Sequence, residues 1–414
     1  MTFNLTQRGS RHTHDMRLGK QTKNIWAYFL ARLLNHIQVG SLSVIMPDGA
    51  RIESHTIHTD QHATIIIHDL AALRKLILGG SIGFSESYIA GHWTSPELPR
   101  LIEILALNGE TLSARLRGSA PARITNYILH RLKRNSRRGS KSNIRYHYDL
   151  GNDFYQKWLG SAMIYSSAIF ADDDDDLDRA QTRKMNRIID LLDISEDQSV
   201  LEIGCGWGAL SRYIAENKKS RVHGITLSKQ QLSYAQNMIQ ESEDKALISL
   251  ELTDYRDVVD SFDRIVSIEM IEAVGEEFLP KYFETIRNRL TPGGRAVIQA
   301  ITIDEQKFDR YKATPDFIQK YIFPGGFLTT KTMMHRYAAA AGLNLCHAEY
   351  FGKSYARTLK EWRSQFITQW SDITRLGYDD KFRNMWDFYL AYCEGGFNAG
   401  SIDVGLYVLK KSFE

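Results

Sequence analysis

Cysteine is scarce in this chain of 414 residues. The three cysteines, Cys205, Cys346 and Cys393, are far apart and form no C-x-x-C pair. This spacing argues against a disulfide framework and against a structural zinc site, and it favours a reducing, cytoplasmic environment.

Long apolar runs are also missing. No stretch approaches the roughly 20 residues that cross a bilayer, and the first residues lack the apolar core of a signal peptide. We therefore expect a soluble protein whose contact with a membrane is peripheral. The net charge of +3 is too small to indicate nucleic acid as a partner.

The composition is that of an ordinary globular protein, with 24% charged and 43% hydrophobic residues, and this excludes extensive disorder. The length allows two domains and a large core. Five adjacent acidic residues at 172–176 are typical of a solvated loop, so we predict no bound metal.

Alternating glycines mark the most informative stretch. An apolar run at 199–203 leads to Gly204, Gly206 and Gly208, and residues 209–214 then have the apolar spacing of a helix. A strand, a tight turn and a helix start are typical of the first crossover of a doubly wound α/β domain. Glycine is needed in such a turn because a Cβ would keep a ligand away from the backbone N–H groups.

This turn differs from a nicotinamide site in two respects. Its spacing is G-x-G-x-G, and the acidic residue expected about 20 residues later is missing. Glu202, just before the first glycine, would oppose a pyrophosphate but suits a ligand that carries an ammonium. S-adenosylmethionine has an ammonium, a carboxylate and no phosphate, so we predict it as the ligand. A glycine turn without a ligand is the alternative.

The first part of the chain is predicted to be a basic arm at 1–24 and a small α+β unit at 25–110. The expected elements are a helix over 26–37, strands over 41–46 and 64–67, and a helix over 70–78 that Gly79 and Gly80 end. The unit contains no recognisable catalytic constellation.

A basic segment at 111–145 follows. It contains ten Lys or Arg residues between Arg115 and Arg145, and no acidic residue occurs between Glu110 and Asp149. One interpretation is a solvated linker. Another is attraction to anionic lipid headgroups, worth about 1 kcal/mol per basic residue near the surface. Nucleic acid is a third, weakened because no nucleic-acid-binding module accompanies the segment.

Residues 146–414 are predicted to form the catalytic domain. Strands are expected at 199–203, 222–225, 248–252, 262–268 and 296–303, with helices between them. This alternation predicts a doubly wound, mainly parallel α/β sheet of the Rossmann type, with the small N-terminal α+β domain beside it. The site is expected where the strands end, in the segments 226–231, 254–257 and 269–272.

Longer motifs carry a resemblance to a known family. They are YHYD and GND within 146–153, LEIGCGWG at 201–208, GITLS at 224–228, MIE and VG within 270–275, KYIFPGG at 320–326 and YARTL at 355–359. On these motifs the chain resembles the cyclopropane fatty acid synthase family of S-adenosylmethionine-dependent methyltransferases. Residues 40–93 resemble, less specifically, the family's N-terminal lipid-associated domain.

The resemblance implies a cofactor site around the glycine turn, with Glu202 beside it. The residues that it places there are, for the methionine part, Gly204, Gly206 and Gly208; for its carboxylate, Tyr165 and Ser166; for the ribose, Thr226 and Gln231; and for the adenine region, Tyr255 and Arg256.

The implied reaction is methyl transfer to a cis double bond of a phospholipid acyl chain, followed by proton loss that closes a cyclopropane ring. Because an alkene is a poor nucleophile and water would capture the cation, an apolar tunnel is expected. Its candidate wall residues are Phe317, Tyr321, Phe323 and Trp362, whose rings could also stabilise the cation.

The resemblance also implies a bound bicarbonate as the base. Glu272 and Tyr355 match two of its holders, and Ile301 would offer its main-chain N–H. Ser167 stands where many members have cysteine, and Gln299 stands where many have histidine. Both can still hydrogen-bond an oxyanion. The identity of the base is therefore open, and so is the choice between a ring and a branch.

Cys393 occupies a position often marked as the family's active-site cysteine. A covalent role has no chemical purpose, because the methyl group goes directly to carbon. We predict a small buried apolar side chain instead.

Other functions stay open beside cyclopropanation. They are a methyltransferase that makes methyl- or methylene-branched fatty acids, an inactive lipid-binding protein on the same fold, and, on fold grounds alone, a small-molecule or RNA methyltransferase. The partners expected for the first are unsaturated phospholipid chains at the inner face of the membrane, with a homodimer allowed and no nucleic acid.

Overall fold

The computed structural model describes residues 25–54, 61–113, 135–136, 139–140, 143, 150–173 and 175–413. Three predicted features fall wholly or mostly outside these residues. They are the basic arm at 1–24, the basic segment at 111–145 and the YHYD motif at 146–149. What we expect of them stays a prediction.

A small α+β unit comes first. Its elements are α1 (Ile25–Leu34), β1 (Ser41–Ile45), β2 (Arg51–Glu53), β3 (His62–Ile67), α2 (Ala71–Ile89), β4 (Trp93–Thr94), α3 (Leu98–Leu107) and α4 (Gly109–Ser113). The strands lie in the order β2-β1-β3-β4, with β1 parallel to β3. Gly49, with a φ of +82°, allows the tight turn between β1 and β2.

The remaining elements alternate along the chain. The helices are α5 (Asn152–Gln156), α6 (Leu177–Leu192), α7 (Ala209–Lys218), α8 (Lys229–Ile239), α9 (Leu279–Arg289), α10 (Glu305–Ala313), α11 (Lys331–Ala340), α12 (Gly352–Thr368), α13 (Trp370–Arg375) and α14 (Asp380–Asn398). The strands are β5 (Ser199–Ile203), β6 (Arg221–Thr226), β7 (Ile248–Leu252), β8 (Phe262–Ile268), β9 (Leu290–Ile303), β10 (Leu343–Tyr350) and β11 (Ile402–Lys411). A π-helical turn spans Ile318–Ile322.

The larger sheet has the strand order β10-β11-β9-β8-β5-β6-β7. The strands from β9 to β7 are parallel to their neighbours, whereas β11 is antiparallel to β9 and β10 is antiparallel to β11. The predicted fold class is confirmed. Since β5 lies between β6 and β8, the glycine turn follows the strand where the order reverses, which is where α/β sheets bind ligands.

Helices cover both faces of this sheet because successive strand residues point to opposite sides. Val200 and Val266 pack with α6 and α7 in one buried cluster. Leu201 and Ile265, one position away from them, pack with α9 and α11 in another. The apolar runs that predicted the strands are therefore buried on both sides.

Two parts of the fold differ from the expectation. The helix predicted to end at Gly79 and Gly80 continues to Ile89, with a kink at Gly80, where φ is +59°. The antiparallel edge formed by β10 and β11 was not predicted.

The helices of the described residues include none with both the length and the apolar character needed to span a bilayer. In the same part of the chain, no three His, Cys, Asp or Glu side chains are grouped as a metal site requires. Within the acidic run, Asp175 pairs with Arg183, and the Asp176 side chain caps α6.

Candidate active site

The glycine turn joins β5 to α7. Gly204, Gly206 and Gly208 have φ of +86°, +54° and +84°, values that favour glycine. The N–H groups of Gly204 and Cys205 donate to the Ile225 carbonyl on β6, at 2.9 and 3.0 Å. A Cβ built on Gly206 would meet no atom within 4 Å, because Gly206 borders a cavity. A side chain at this position would therefore occupy the ligand space.

The cavity lies beside the turn, at the carboxyl ends of the parallel strands. Eight of the ten predicted cofactor residues line it, namely Tyr165, Ser166, Glu202, Gly204, Gly206, Thr226, Gln231 and Tyr255. Gly208 instead faces α8, since its added Cβ would lie 3.0 Å from Ala235 Cβ. Arg256 donates through Nε and Nη2 to Asp254, at 2.8 and 2.6 Å.

Glu202 places a buried carboxyl group in the wall of this cavity. The Ser211 hydroxyl donates to its Oε2. Burial raises the pKa of Glu202 to about 7, against the opposing effects of the Ser211 hydrogen bonds and the Lys184 charge. The carboxylate would gain from a cationic group in the cavity, which would restore its ionised form.

The loop after β6 positions Thr226 and Gln231. The Thr226 hydroxyl donates to Gln231 Oε1 at 3.1 Å, and the Ser228 hydroxyl caps α8 by accepting from the Gln231 N–H at 3.2 Å. Both side chains are buried at the cavity wall and present polar atoms to it. They can hydrogen-bond a diol without the acidic residue of a nicotinamide site.

Lys184 on α6 is a buried cation that the sequence analysis missed. Its Nζ donates to the Ser166 hydroxyl at 2.6 Å, and it lines the cavity. Burial lowers the pKa of Lys184 to about 7, while the charges of Glu269 and Glu202 oppose the shift. The available signal was its spacing, since Lys184 lies four residues from both Ala180 and Ile188 and so falls on the apolar face of α6.

Glu269, directly after β8, is the second residue that the sequence analysis did not assign. Its Oε1 accepts from the Ser167 main-chain N–H at 2.9 Å and from Gln299 Nε2 at 2.7 Å. Its Oε2 accepts from the Tyr355 hydroxyl at 2.6 Å. Burial raises the pKa of Glu269, against these hydrogen bonds and the charge of Lys184. Its position directly after a parallel strand, where α/β sheets bind ligands, could have identified it as a site residue.

Glu272 lies one turn further along the same loop. Its Oε1 accepts from the Ile301 N–H at 2.6 Å, and its buried Oε2 has no hydrogen-bond partner among the described residues. Burial, and after it the charge of Glu269, raises the pKa of Glu272 to about 8. Glu272 is therefore mostly protonated at neutral pH and accepts one hydrogen bond, whereas Glu269 accepts three.

The residues predicted to hold an anion thus lie together, but they bind carboxyl groups of this chain. Ser167, Gln299 and Tyr355 converge on Glu269, and Ile301 contacts Glu272. The Ser167 hydroxyl donates to the Ala168 carbonyl at 2.9 Å, so the main-chain N–H makes the contact with Glu269.

Tyr165, which lines the cavity, packs among other aromatic side chains. Its ring centroid lies 5.5 Å from Trp362 and 6.5 Å from Phe323, and its hydroxyl is 2.7 Å from that of Tyr389. Trp362 is fully buried. Two of the four predicted wall residues therefore contact the cavity lining through Tyr165.

The other two predicted wall residues pack elsewhere. Phe317 contacts Phe388 at 5.0 Å between centroids, and the Tyr321 hydroxyl donates to Glu86 of α2 at 2.6 Å. Cys393 on α14 is half-buried, and burial raises the pKa of its thiol. A protonated thiol is a poor nucleophile.

Comparison with known proteins decides the family. A model of the mycolic acid cyclopropane synthetase family matches residues 135–406, about two thirds of the chain. The chain belongs to this family. It is a family of S-adenosylmethionine-dependent methyltransferases, as the motifs predict.

Relatives in the cyclopropane synthetase family extend the match to the N-terminal unit. Tuberculostearic acid methyltransferase UfaA1 of Mycobacterium tuberculosis is 37% identical over 359 residues, which cover 84% of this chain and 83% of the relative. Cyclopropane-fatty-acyl-phospholipid synthase of Escherichia coli K12 is 33% identical over 349 residues, which cover 82% and 86%.

Solved structures agree with this assignment. Mycolic acid cyclopropane synthase CmaA1, in complex with SAH and CTAB, has a TM-score of 0.62 and 29% identity, covering 66% of this chain and 98% of that one. Coclaurine N-methyltransferase, bound to N-methylheliamine and SAH, has a TM-score of 0.63 at 20% identity, with coverage of 79% and 98%. The second likeness concerns the fold alone.

Proposed function

We propose that this enzyme transfers a methylene group, derived from the methyl of S-adenosylmethionine, to a cis double bond of an unsaturated phospholipid acyl chain and so makes a cyclopropane fatty acid. One observation carries the proposal: the cavity at the glycine turn is lined both by Tyr165, which packs against Phe323 and the buried Trp362, and by the carboxyl group of Glu269, with Glu272 in the same loop. A dry site and a base are what this reaction requires.

The residues around the cavity suit S-adenosylmethionine. Gly206 leaves open the space that a Cβ would fill, and Glu202 offers a buried carboxylate to an ammonium. Lys184 and Ser166 together offer a cation and a hydroxyl to a carboxylate. When bound, the cofactor supplies an electrophilic methyl group.

The protein's own contribution is positioning and the exclusion of water. An alkene is a weak nucleophile, so it must be brought close to the methyl group in one orientation. The rings of Tyr165, Phe323 and Trp362 keep water from the carbocation and present π faces that attract positive charge. The cation then loses a proton to close the ring.

A second candidate product is a methyl- or methylene-branched fatty acid. It is supported by the 37% identity to a tuberculostearic acid methyltransferase. The two products share the methyl transfer and the cation, and they differ in which hydrogen leaves it. Ser167 and Gln299, which stand where many members of the family have cysteine and histidine, both donate to Glu269, a candidate to remove that hydrogen.

We further propose that the enzyme works in the cytoplasm, peripheral to the inner face of the membrane. The basic segment at 111–145, most of which lies outside the described residues, would draw it to anionic headgroups. Binding that depends on these charges should weaken as salt is added. A homodimer stays a prediction.

The decisive experiment incubates the purified protein with methyl-labelled S-adenosylmethionine and vesicles of phosphatidylglycerol that carry monounsaturated chains. We expect label in the acyl chains and upfield ring-methylene signals in the proton NMR spectrum. Vinylic methylene signals would favour the methylene branch, and mass would reveal a saturated methyl branch. No label in lipid would refute both products and leave a lipid-binding protein.

A pair of variants tests the cofactor site. Gly206→Val should abolish binding of S-adenosylhomocysteine in calorimetry, because its side chain would fill the cavity. Gly49→Val is the matched control, since Gly49 also has a positive φ, +82°, and no atom within 4 Å of an added Cβ, but lies in the β1–β2 turn. Normal binding by Gly206→Val would refute the site.

A further inference from the structure

We propose that Glu269 is the catalytic base of this enzyme, and that its carboxylate takes the place of a bound bicarbonate. This inference rests on the proposed function, because it concerns the proton that the carbocation loses. It assigns a catalytic role to a residue that neither the motifs nor the comparisons single out.

The hydrogen bonds around Glu269 carry the inference. Three groups that could hold a small oxyanion, the Ser167 N–H, the Gln299 amide and the Tyr355 hydroxyl, lie 2.6–2.9 Å from its two oxygens. These three donors and Glu269 itself lie in four separate segments of the chain. A carboxylate and a bicarbonate share the planar O–C–O geometry that such donors recognise, so the side chain occupies the anion position.

The backbone at Glu269 is adapted to this placement. Its φ of +48° lies in the left-handed region, which non-glycine residues seldom adopt. The Glu269 N–H donates to the Gln299 carbonyl at 2.9 Å, so the residue is fixed to β9 while its side chain turns into the cavity wall. Strain of this kind is concentrated at functional sites.

The arrangement leaves acceptor capacity for one proton. A carboxylate offers about four lone-pair directions, and three of those of Glu269 accept hydrogen bonds. The same donors are then no longer available for a second anion. A separate bicarbonate would also lie next to the Glu269 charge, which would repel it.

The electrostatic surroundings suit a base. Burial raises the pKa of Glu269, which makes it more basic than a carboxylate in water, while the Lys184 charge favours the ionised form. Glu272 is neutral at pH 7, because burial and the Glu269 charge raise its pKa to about 8. Glu269 accepts three hydrogen bonds that favour its ionised form, whereas one oxygen of Glu272 accepts none among the described residues.

The proposed step balances as follows. After the alkene carbon has bonded to the methyl carbon, the neighbouring chain carbon is cationic. Glu269 accepts one proton from the former methyl group, and the electron pair of that C–H bond forms the second C–C bond of the ring. The carboxylate becomes a neutral carboxylic acid and returns its proton to solvent after the product leaves. If the proton comes from an adjacent chain carbon, the same base gives a branch.

The first test compares activity with and without bicarbonate. We expect the wild-type protein to keep its rate in buffer freed of carbon dioxide. Glu269→Gln should lose activity by about 100-fold or more, the range of general-base catalysis, while its affinity for S-adenosylhomocysteine changes less than about threefold. Glu276→Gln, an acidic residue of the same loop whose Oε1 pairs with Lys312 at 2.6 Å, is the control and should keep its rate.

The second test asks whether an empty anion position can be filled again. Glu269→Gly suits the positive φ and removes the carboxylate, so the three donors should then bind bicarbonate. We expect calorimetry and the infrared spectrum of [13C]bicarbonate to report binding to this variant and none to the wild type. Added bicarbonate should also restore part of its activity.

The outcomes separate this inference from the proposed function. Wild-type activity that disappears without bicarbonate, or Glu269→Gln activity within threefold of the wild type, would overturn the inference and leave the reaction intact. A wild type that labels no lipid would instead overturn the proposed function. In that case the bicarbonate measurement still decides whether Glu269 occupies an anion position, since it needs no turnover.

Discussion

Three ionisable side chains that line the cavity, Lys184, Glu202 and Glu269, determine its electrostatics. Lys184 lies close enough to Glu202 and Glu269 for its charge to affect the pKa of each carboxyl, and its Nζ donates to Ser166. A buried cation between two carboxyls offsets the cost of burying their charges. A zwitterionic ligand could therefore add one charge of each sign without changing the net charge of the site.

The first prediction concerns the pH dependence of ligand binding. Burial raises the pKa of Glu202 to about 7, so most of it is protonated at pH 6 and most is ionised at pH 8. A ligand ammonium favours the ionised form, so binding should release a proton at pH 6. Lys184, whose pKa burial lowers to about 7, is mostly protonated at pH 6 and does not offset this release, although its loss of charge by pH 8 opposes the gain in affinity. We therefore expect S-adenosylhomocysteine binding at pH 6 to release about one proton. Calorimetry in two buffers of different ionisation enthalpy measures the affinity and the proton.

Glu202→Gln is the control for this prediction. It should bind more weakly at pH 8 and release little or no proton at pH 6. A wild type that releases no proton on binding at pH 6 would show that the ligand makes no contact with the Glu202 charge.

Among the elements, α14 connects the small unit to the active site. Its residues Tyr389 and Cys393 lie near Tyr165 and Tyr355, while Gly395 of the same helix packs against α3. The contact with α3 is close at Gly395, where an added Cβ would lie 2.8 Å from the Glu103 nitrogen. Glycine at this position therefore sets the distance between the two helices.

The second prediction follows from that distance. Gly395→Ala should destabilise the protein by about 1–3 kcal/mol, because the methyl group meets the backbone of α3 and the Ile102 side chain, also at 2.8 Å. Gly396→Ala is matched in sequence and helix, but its Cβ would meet the flexible Ile402 side chain at 3.3 Å. We expect it to be neutral or up to about 1 kcal/mol stabilising. Urea unfolding of both variants measures the difference, and equal effects would contradict the prediction.

Local sequence patterns predicted the parallel strands well. β5, β7 and β8 have the predicted limits, since each contains apolar residues in a strand pattern and is bounded by turns or polar loops. The antiparallel edge of β10 and β11 was missed, because their pairing joins residues about 60 positions apart, such as Leu345 with Leu409. Only tertiary structure brings such segments together.

The same limit applies to the site. The glycine turn and Glu202 are contiguous, so one stretch of sequence predicted the cavity. Glu269 receives its donors from Ser167, Gln299 and Tyr355, which are distant in sequence. Sequence reasoning found the three donors through the family motifs and assigned them an external anion. It had no means of showing that the Glu269 side chain fills the position of that anion.

At the scale of the whole molecule, the small unit and residues 150–413 share one apolar cluster, to which several polar contacts are added. The Tyr88 hydroxyl donates to Asp387 at 2.5 Å, and Asp387 also pairs with Arg363 at 2.7 Å. Lys320 pairs with Glu86 at 2.7 Å. These bonds join α2 to α14 and to the π-helical turn, so we expect the two parts to unfold together.

Glu394 is a weak point of this interface and gives the last prediction. It is 8% exposed, and its Oε2 has no hydrogen-bond partner among the described residues. Burial raises the pKa of Glu394 to about 7, while the Arg363 and Lys360 charges oppose the rise and those of Glu103 and Asp387 add to it. A carboxyl group whose pKa is higher in the folded state stabilises the fold fully at pH values below its pKa in the unfolded state. This contribution is lost as the pH rises through the folded-state pKa of about 7.

Glu394→Gln removes this pH dependence because glutamine does not ionise. At pH 5 the variant should unfold at nearly the same temperature as the wild type, whose Glu394 is then protonated. At pH 8 the variant should be the more stable, by up to about 3 kcal/mol. Thermal unfolding at both pH values measures the difference in stability between the variant and the wild type. Glu196→Gln, at an exposed position, is the control, and its stability relative to the wild type should be the same at both pH values. A stability difference for Glu394→Gln that does not grow between pH 5 and pH 8 would mean that the folded protein ionises Glu394 at no cost, through water or through the Arg363 and Lys360 charges.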